Sequence, residues 1–399
     1  MSDSGGSPLG STPVSPSDGP VAVTGSAGYI GSHIVHNLVR NGYTVRACVR
    51  DSGNYSSTAH LVAMTHSGPG TVTLHAADMT IPGAYDAAFA GCCCVFHAAA
   101  EMGNLAGSTP LKVYEGGLEA TRLVVDSIKK AATVRRLVYT SSFAAVGHPA
   151  EEGHVHTEDC WADMNQEMRR EGAEWDMAVV PKNREIAYAM TKVNAERYVY
   201  EQATEHGFAA FGVCPCHVIG PLLSASHQRP WCWQTRIGDM LEGYGHRRMF
   251  WNIVDVRDVA EAQRLIAECP DNRSGERYNL VATDESGMIT QTDLQAIMRR
   301  LYPGIGIGGI YREGNWRRSP LAVLQKATTQ LGLKPHTVEQ AIRDNGDSLL
   351  MWGLVQPRLG EDNWQREDND LGIASKWSPY PYPALDPAIK QKLESEGAS

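Results

Sequence analysis

The amino-acid sequence predicts an α/β fold, in which a doubly wound parallel sheet is joined by a smaller C-terminal lobe for substrate. A β-branched run at Val21–Thr24 leads through a glycine-rich turn into a segment with apolar residues at helical spacing. A second strand-like run follows at Thr44–Val49, and strand-like and helix-like segments then alternate as far as Cys214. Such alternation is typical of a parallel sheet covered by helices on both faces.

Local patterns predict the individual elements. After the glycine turn, apolar residues recur at helical spacing until Asn41-Gly42, a pair that ends helices. Runs of β-branched and aromatic residues predict further strands over 71–75, 94–97, 137–140 and 208–214. Helical periodicity predicts further helices over 118–132, 185–205, 291–301, 321–331 and 338–350.

The chain is predicted to divide into a cofactor-binding domain, a lobe and an extension. Residues 20–214 form the cofactor-binding domain, to which residues 251–282 return. Residues 215–250 and 283–355 form the lobe, over the carboxyl edge of the sheet where ligands of such sheets bind. Residues 356–399 are an extension that is either docked on the protein or loosely attached.

Composition narrows the function and the location. The 399 residues carry a formal net charge of -9, which argues against binding to nucleic acid or to an anionic membrane. Residues 1–19 are rich in Ser, Gly and Pro, and we expect a disordered tail rather than a signal peptide. Nine cysteines without a secretory signal indicate reduced thiols in a cytoplasmic protein. No metal site is expected, because Cys92, Cys93 and Cys94 alternate between strand faces and no Cys/His set has zinc spacing.

The first candidate site is a cradle for the pyrophosphate of a dinucleotide. Gly25, Gly28 and Gly31 lie between a strand and a helix, the order that a dinucleotide-binding turn requires. Gly25 permits the tight turn, Gly28 lets the backbone approach a phosphate, and Gly31 lets helix and strand touch. The neighbouring residues that we expect to line the cofactor are Ala27, Tyr29 and Ile30.

The residues after the second and third strands bear on the choice of cofactor. Arg50 stands where NAD-binding units place a carboxylate for the ribose 2′-hydroxyl, and a guanidinium there accommodates a 2′-phosphate. Arg50 therefore favours NADP(H) over NAD, although the next residue is Asp51 and a plain surface charge is the alternative. Asp78 and Met79 are expected near the adenine, and a structural cap explains Asp78 nearly as well.

Candidate catalytic residues lie on and before the long helix predicted over 185–205. Tyr188 and Lys192 share one helical face, and an ammonium beside a phenol favours its phenolate form. Tyr188 could then exchange a proton with a carbonyl or alcohol oxygen, while Lys192 also holds the nicotinamide ribose. After a buried strand, Ser142 is expected to hydrogen-bond the reacting oxygen and Ser141 to face the cofactor. Taken singly, a Tyr-x-x-x-Lys pair also occurs by chance, and two serines also suit a simple turn.

A glycine cradle, a strand-end serine and a Tyr/Lys helix in this order resemble the extended short-chain dehydrogenases/reductases of the NAD-dependent epimerase/dehydratase family. More narrowly, the chain is similar to the dihydroflavonol 4-reductase and cinnamoyl-CoA reductase group over about residues 20–350. The stretches that carry this resemblance lie at 23–32, 42–51, 91–97, 134–142, 159–161, 214–221 and 254–260.

The resemblance implies a Rossmann fold and NADPH-dependent reduction of a carbonyl group. It implies that Ser142, Tyr188 and Lys192 are the catalytic set. It also implies that the loop after the strand ending at Cys214 lies beside the nicotinamide, and a monomer or a homodimer is compatible with it. The loop residues expected at the cofactor are Pro215 and Val218, and the fourth strand contributes Ala98 and Ala99.

The chain departs from the resembled reductases at three places. Gly117 stands where the family often has an asparagine of a proton relay. Ser57 stands where the plant reductases carry a lysine that helps to hold the phosphate. Gly147-His148 stands where the plant flavonoid reductases carry an asparagine that contacts their substrate, which argues against a flavonoid substrate.

The predicted function is reversible hydride transfer between NADP(H) and a hydrophobic or aromatic ketone or aldehyde. Phe143, His148 and His217 are candidate substrate contacts, and Trp231 and Trp233 either line an aromatic pocket or pack in the core. Three alternatives stay open: an epimerase or dehydratase that retains NAD, a 3β-hydroxysteroid-type dehydrogenase, and a regulator that binds NADP without catalysis.

Overall fold

The computed structural model describes residues 12–100, 109–147, 155–162, 184–229, 232–244, 246–247, 250–282, 289–312 and 321–360. The strands are β1 (Val21–Thr24), β2 (Thr44–Val49), β3 (Thr71–Ala76), β4 (Cys94–His97), β5 (Arg136–Thr140), β6 (Val155–His156), β7 (Ala209–Pro215), β8 (His217–Ile219), β9 (His246–Arg247), β10 (Phe250–Trp251), β11 (Ile253–Asp255), β12 (Arg277–Leu280), β13 (Ile289–Thr290), β14 (Ile310–Arg312) and β15 (Leu321–Ala322). The α-helices are α1 (Tyr29–Arg40), α2 (Tyr55–Ala63), α3 (Asp86–Phe89), α4 (Pro110–Ala131), α5 (Arg184–His206), α6 (Trp233–Leu241), α7 (Val256–Glu268), α8 (Gln291–Leu301), α9 (Gln325–Gln330) and α10 (Val338–Met351). Short 3₁₀ turns lie at Pro16–Asp18, Met64–His66, Phe143–Ala145 and Ala225–His227.

Seven of the described strands form one sheet in the order β12-β7-β5-β4-β1-β2-β3, and every neighbouring pair is parallel. The chain steps outward from β1 to β3 on one side and then crosses to β4 on the other, so the direction of winding reverses between β1 and β4. Open α/β sheets bind ligands at the carboxyl ends of their strands, at such a reversal. The predicted doubly wound parallel sheet is confirmed.

The sheet is covered on both faces, and the lobe has its own apolar core. On one face, α1 and α7 contribute Leu38 and Ile266 to the packing; on the other, α4 and α5 contribute Val124 and Val199. A separate cluster around the fully buried Trp251 joins α6, α8 and α10. No helix in the described ranges combines the length and apolar character that crossing a membrane requires.

Two predicted helices differ from the observed ones. The helix predicted over 118–132 begins at Pro110, because the Thr109 hydroxyl accepts a hydrogen bond from the Lys112 amide at 3.3 Å and proline suits the first helical position. The helix predicted over 321–331 is wrong in its first part, where β15 pairs with β6 before α9 begins.

The predicted disordered tail is wrong for residues 12–19, which pack on the amino-terminal side of the sheet. Val14 is buried, and its amide donates to the Ala267 carbonyl at 2.8 Å. The anchor is Arg136, which is fully buried and donates to the Thr12 carbonyl at 2.9 Å and to the end of α7. Composition misled the prediction because a buried guanidinium, distant in sequence, supplies the donors that hold this segment.

We expect Arg136→Met to lower the free energy of unfolding by about 2–4 kcal/mol, because several buried carbonyl oxygens lose their donor. Residues 12–19 should also become sensitive to limited proteolysis. Urea unfolding followed by fluorescence measures the first effect. Arg40→Met, at the exposed end of α1, is the control and should leave stability within about 0.5 kcal/mol. Equal stability of the two variants would contradict the anchoring role.

Candidate active site

The glycine turn between β1 and α1 is a close-packed cradle. Gly25 has φ +66, and a Cβ there would lie 2.8 Å from the backbone of Ala99, in the segment after β4. A Cβ at Gly31 would lie 2.2 Å from the Gly25 carbonyl oxygen. Only glycine therefore fits at either position, and the start of α1 lies directly against the turn.

The first turn of α1 offers backbone donors to an anion. Gly28 caps the helix, and its own amide donates to the Gly25 carbonyl at 2.9 Å. The next amides, of Tyr29, Ile30 and Gly31, stand at the start of the helix, where no earlier carbonyl is available within the helix. These amides and the positive end of the helix dipole fit the pyrophosphate of a dinucleotide. Ala27 is half-buried in the turn between them.

Arg50 and Asp78, two residues predicted to contact the cofactor, follow the neighbouring strands β2 and β3. Their side chains face each other at 3.7 Å, and 73% of the Arg50 side chain is exposed. Asp78 also accepts hydrogen bonds from the amide and hydroxyl of Thr80, and these bonds, with Arg50, lower the pKa of its carboxyl. Asp78 thus caps the turn at Thr80, while the Arg50 side chain is largely exposed, and the cofactor contacts of both residues stay predictions. Met79 is buried, with its side chain packed against the β-sheet core.

Lys192 is joined to the carboxyl end of β5. Its buried ammonium donates to the Thr140 carbonyl at 2.8 Å and lies 5.8 Å from the centre of the Tyr188 ring, one helical turn earlier on α5. Burial opposes the charged form, but the nearby Tyr139, Tyr188 and Glu196 raise the pKa of Lys192 above its usual range. Lys192 is therefore a fixed positive charge beside Tyr188.

Ser142 lies two residues beyond Thr140 and caps the 3₁₀ turn Phe143–Ala145. Its Oγ accepts a hydrogen bond from the Ala144 amide at 3.2 Å, so its own hydrogen is available to a further acceptor. The turn packs against α5 through Ala145, which shares a cluster with Ala189 and Val193. Ser142, Tyr188 and Lys192 thus all lie near the end of β5, on the carboxyl side of the sheet.

The Ser141 side chain is directed into the protein, and the expectation that Ser141 faces the cofactor stays a prediction. Its hydroxyl is buried and donates to the Glu196 carboxylate of α5 at 2.5 Å. Adjacent residues of an extended chain point to opposite sides. Because Ser141 is directed towards Glu196, Ser142 is directed away from it.

An aromatic group lies in the lobe next to the end of β7. His217 follows Pro215 closely, and its ring stacks on Trp233 with a centroid distance of 3.8 Å. The edge of Trp251 completes the group at 5.7 Å from His217. Val218 is buried in the core beside β7. Trp233 thus both packs against its neighbours and lies beside a predicted substrate contact.

The other predicted substrate contacts are only partly accounted for. Phe143 is half-buried in the turn after Ser142, with its ring edge against His156 at 6.1 Å between centroids. His148 and Trp231 lie outside the described residues.

The residues after β4 that were predicted to contact the cofactor pack against the glycine turn. Ala98 lies beside this turn, and the Ala99 amide donates to the Thr24 hydroxyl at 3.1 Å.

A family model for NAD dependent epimerases/dehydratases matches residues 21–280, which include the cradle and the Ser142, Tyr188 and Lys192 group. The chain belongs to the NAD dependent epimerase/dehydratase family. The resemblance stated from the sequence is thereby confirmed.

Named relatives in this family are plant reductases. The bifunctional dihydroflavonol 4-reductase/flavanone 4-reductase of Malus domestica is 33% identical, over 88% of this chain and 96% of its own length. The dihydroflavonol 4-reductase of Hordeum vulgare is 33% identical over 63% of this chain and 68% of its own. The yeast methylglyoxal/isovaleraldehyde reductase Gre2, solved in complex with NADPH, has a TM-score of 0.69 at 22% identity, covering 84% of this chain and 98% of Gre2. The last comparison supports the fold.

This member of the NAD dependent epimerase/dehydratase family has a histidine group behind the cradle that sequence reasoning missed. The Ser32 hydroxyl donates to the Ser26 carbonyl at 2.7 Å, so His60 and His227 must each donate to it from Nε2. His33 hydrogen-bonds the Pro221 carbonyl at 2.9 Å. No sequence signal connects these residues, because they come from α1, α2 and the segment after β8.

We expect the stability of the protein to fall as the pH drops from about 6.5 towards 4. Burial lowers the pKa of His33 to about 4 and that of His60 to about 4, so the unfolded chain takes up protons in this range while the folded chain does not. The contribution of these two histidines to stability is therefore fully present above the pKa of the unfolded chain, about 6.5, and is lost as the pH falls towards about 4. Urea unfolding between pH 4.5 and 7.5 measures the slope.

His33→Gln should make this slope shallower, because one buried imidazole is removed while an amide donor for the Pro221 carbonyl is kept. His66→Gln, at an exposed position, is the matched control. The explanation fails if His33→Gln and His66→Gln give the same slope as the unmodified protein.

Proposed function

We propose that the protein is an NADP(H)-dependent reductase of the short-chain dehydrogenase/reductase type, which reduces a hydrophobic or aromatic ketone or aldehyde to an alcohol. The observation that carries the proposal is the buried ammonium of Lys192, held on the Thr140 carbonyl with the Tyr188 ring beside it. The names of the plant relatives, which are reductases of carbonyl compounds, support the same chemistry.

Each residue of the site has a chemical role in this reaction. When bound, the nicotinamide supplies the hydride. Tyr188 donates its phenolic proton to the carbonyl oxygen as that oxygen gains negative charge. The fixed ammonium of Lys192 stabilises the phenolate that remains. The hydroxyl of Ser142, whose hydrogen is available, orients the same oxygen.

The cradle suits NADP(H). The amides at the start of α1 would hold the pyrophosphate, and Arg50 would pair with a 2′-phosphate, because its guanidinium is exposed beside the end of β2. The yeast reductase of similar fold was solved with NADPH, which supports this preference. The proposed substrate would lie against the partly exposed rings of His217 and Trp233, which the buried Trp251 supports from behind.

An epimerase or dehydratase that retains NAD is the second candidate, because the matching family is described by those activities. The two candidates differ in cofactor consumption. A panel of ketones and aldehydes is assayed by nicotinamide absorbance with NADPH and NADH in parallel. The proposal expects stoichiometric NADPH oxidation, whereas co-purified oxidised NAD without net consumption would favour the second candidate.

Tyr188→Phe should lower kcat by about 10²- to 10⁴-fold, because the reacting oxygen loses its proton donor. Binding of NADPH, measured by calorimetry, should change little, since only one hydroxyl is removed. Tyr198→Phe removes a hydroxyl further along α5 and serves as the control. Turnover of Tyr188→Phe close to that of the control would exclude Tyr188 as the acid.

Arg50→Gln should weaken NADPH binding about tenfold and leave NADH binding nearly unchanged, because an exposed guanidinium–phosphate pair is lost. Titration with each cofactor measures the two affinities. Arg40→Gln, an exposed cation at the far end of α1, controls for a general loss of positive charge. An equal loss for both cofactors would point to a surface charge instead of a phosphate contact.

A further inference from the structure

A buried carboxylate lies directly behind the catalytic serine. Glu196 is fully buried on α5 and accepts hydrogen bonds from Ser141 at 2.5 Å and from Tyr200 at 2.7 Å. Arg277 of β12 donates to both carboxylate oxygens, at 2.7 and 3.2 Å. A Cβ at Gly212 would lie 2.4 Å from the Glu196 carboxylate, so a glycine in β7 makes the space for it.

Arg277 connects this carboxylate to the segment that follows β6. Its side chain is only 3% exposed, and its guanidinium lies 3.8 Å from the centre of the Trp161 ring. It also donates to the carbonyls of Cys160 at 2.5 Å and Ala145 at 3.3 Å. Ala145 belongs to the turn that Ser142 caps. The pair therefore contacts the chain on both sides of Ser142, through the Ser141 hydroxyl and the Ala145 carbonyl.

The charges of this region have a specific order. Tyr188, Lys192 and Glu196 occupy successive turns on one face of α5, and Tyr188 and Glu196 lie about 12 Å apart along the axis. Glu196 alone would offset the positive charge of Lys192. Arg277 cancels the charge of Glu196, so the field of Lys192 remains at Tyr188. Other titratable groups facing this network are His97 from β4, Tyr139 from β5, Tyr200 from α5 and Cys214 from β7.

Structural stability alone is a weak reason for such a pair. A buried ion pair costs the desolvation of both charges, and apolar residues of similar volume often serve as well or better. Glu196 lies one helical turn beyond Lys192 and is hydrogen-bonded to the residue before Ser142, so the charges of the pair act on the proposed site.

We propose that Glu196 and Arg277 are positioning residues, which fix Ser142 through Ser141 and Ala145 and set the electrostatic balance at Tyr188 by cancelling each other. This inference rests on the proposed function, because it assigns the pair a role in the proton transfer of Tyr188.

The test is the pH dependence of kcat/KM for NADPH-dependent carbonyl reduction, in which turnover is lost at high pH when Tyr188 can no longer donate a proton. Arg277→Gln leaves the anion of Glu196 uncancelled and should move this basic limb about one unit to higher pH. Glu196→Gln leaves the cation uncancelled and should move it about one unit to lower pH.

The double variant E196Q/R277Q removes both charges and should return the limb to the wild-type position. Glu201→Gln, the same change on the exposed face of α5, controls for loss of a carboxylate and should not move the limb. Opposite shifts in the single variants, with return in the double variant, support the proposal. Lower activity or melting temperature without a shift in the limb overturns it, since a structural role alone predicts that result.

Two further comparisons keep the test decisive. If Arg277→Gln does not fold, Glu196→Gln is compared with the double variant. The proposal is overturned if the basic limbs of these two variants lie at the same pH. Tyr188→Phe separates this inference from the proposed function. A fully active Tyr188→Phe refutes both, whereas an inactive Tyr188→Phe beside unshifted limbs refutes only the role of the pair.

Discussion

The site depends on one hydrogen bond, from the Lys192 ammonium to the Thr140 carbonyl at 2.8 Å. It connects α5 to the last residue of β5, and this connection determines where the neighbouring site residues lie. Tyr188 lies one turn before Lys192, and Ser142 two residues beyond Thr140, so both reach the carboxyl edge of the sheet together. A single carbonyl does not compensate a buried cation. The rings of Tyr139 and Tyr188, with their centres 5.3 and 5.8 Å from the ammonium, supply further stabilisation.

A second connection links the cofactor cradle to the lobe. Tyr29, at the start of α1, donates from its hydroxyl to the Gly220 carbonyl at 2.8 Å, and His33, one turn later, bonds the Pro221 carbonyl. Asn345 of α10 donates to the same Gly220 carbonyl at 2.9 Å. Helix α1, whose first turn belongs to the cradle, therefore also holds Gly220 and Pro221, at the end of the predicted nicotinamide loop. These hydrogen bonds from side chains to backbone carbonyls fix the position of Gly220 between α1 and α10.

Sequence patterns predicted the parts of the molecule that depend on local order. Val21–Thr24 and Thr44–Val49 were predicted with their observed bounds, because β-branched runs beside glycine turns have few other conformations. Patterns failed where distant donors decide the structure. Arg136 orders residues 12–19, which composition alone makes a disordered tail. His227 lies 195 positions from Ser32 in the sequence, and no periodicity connects the two. The assignments of Arg50, Tyr188 and Lys192 to their roles stay predictions.

The side chains of Ser141 and Ser142 point in different directions at the end of β5. Ser142 has φ -161 and ψ 152, an extended conformation in which neighbouring side chains diverge. The hydroxyl of Ser141 therefore donates to Glu196 inside the protein, while that of Ser142 points away from Glu196 and accepts from the Ala144 amide. A shift of one residue in this register would exchange the two and direct the second hydroxyl to the carboxylate. Because Glu196 is held by Arg277 and Tyr200, it accepts only the hydroxyl that lies opposite, and this selects the register that presents Ser142. The buried network thus holds Ser141 inside the protein and leaves Ser142 as the serine that we propose to contact the substrate.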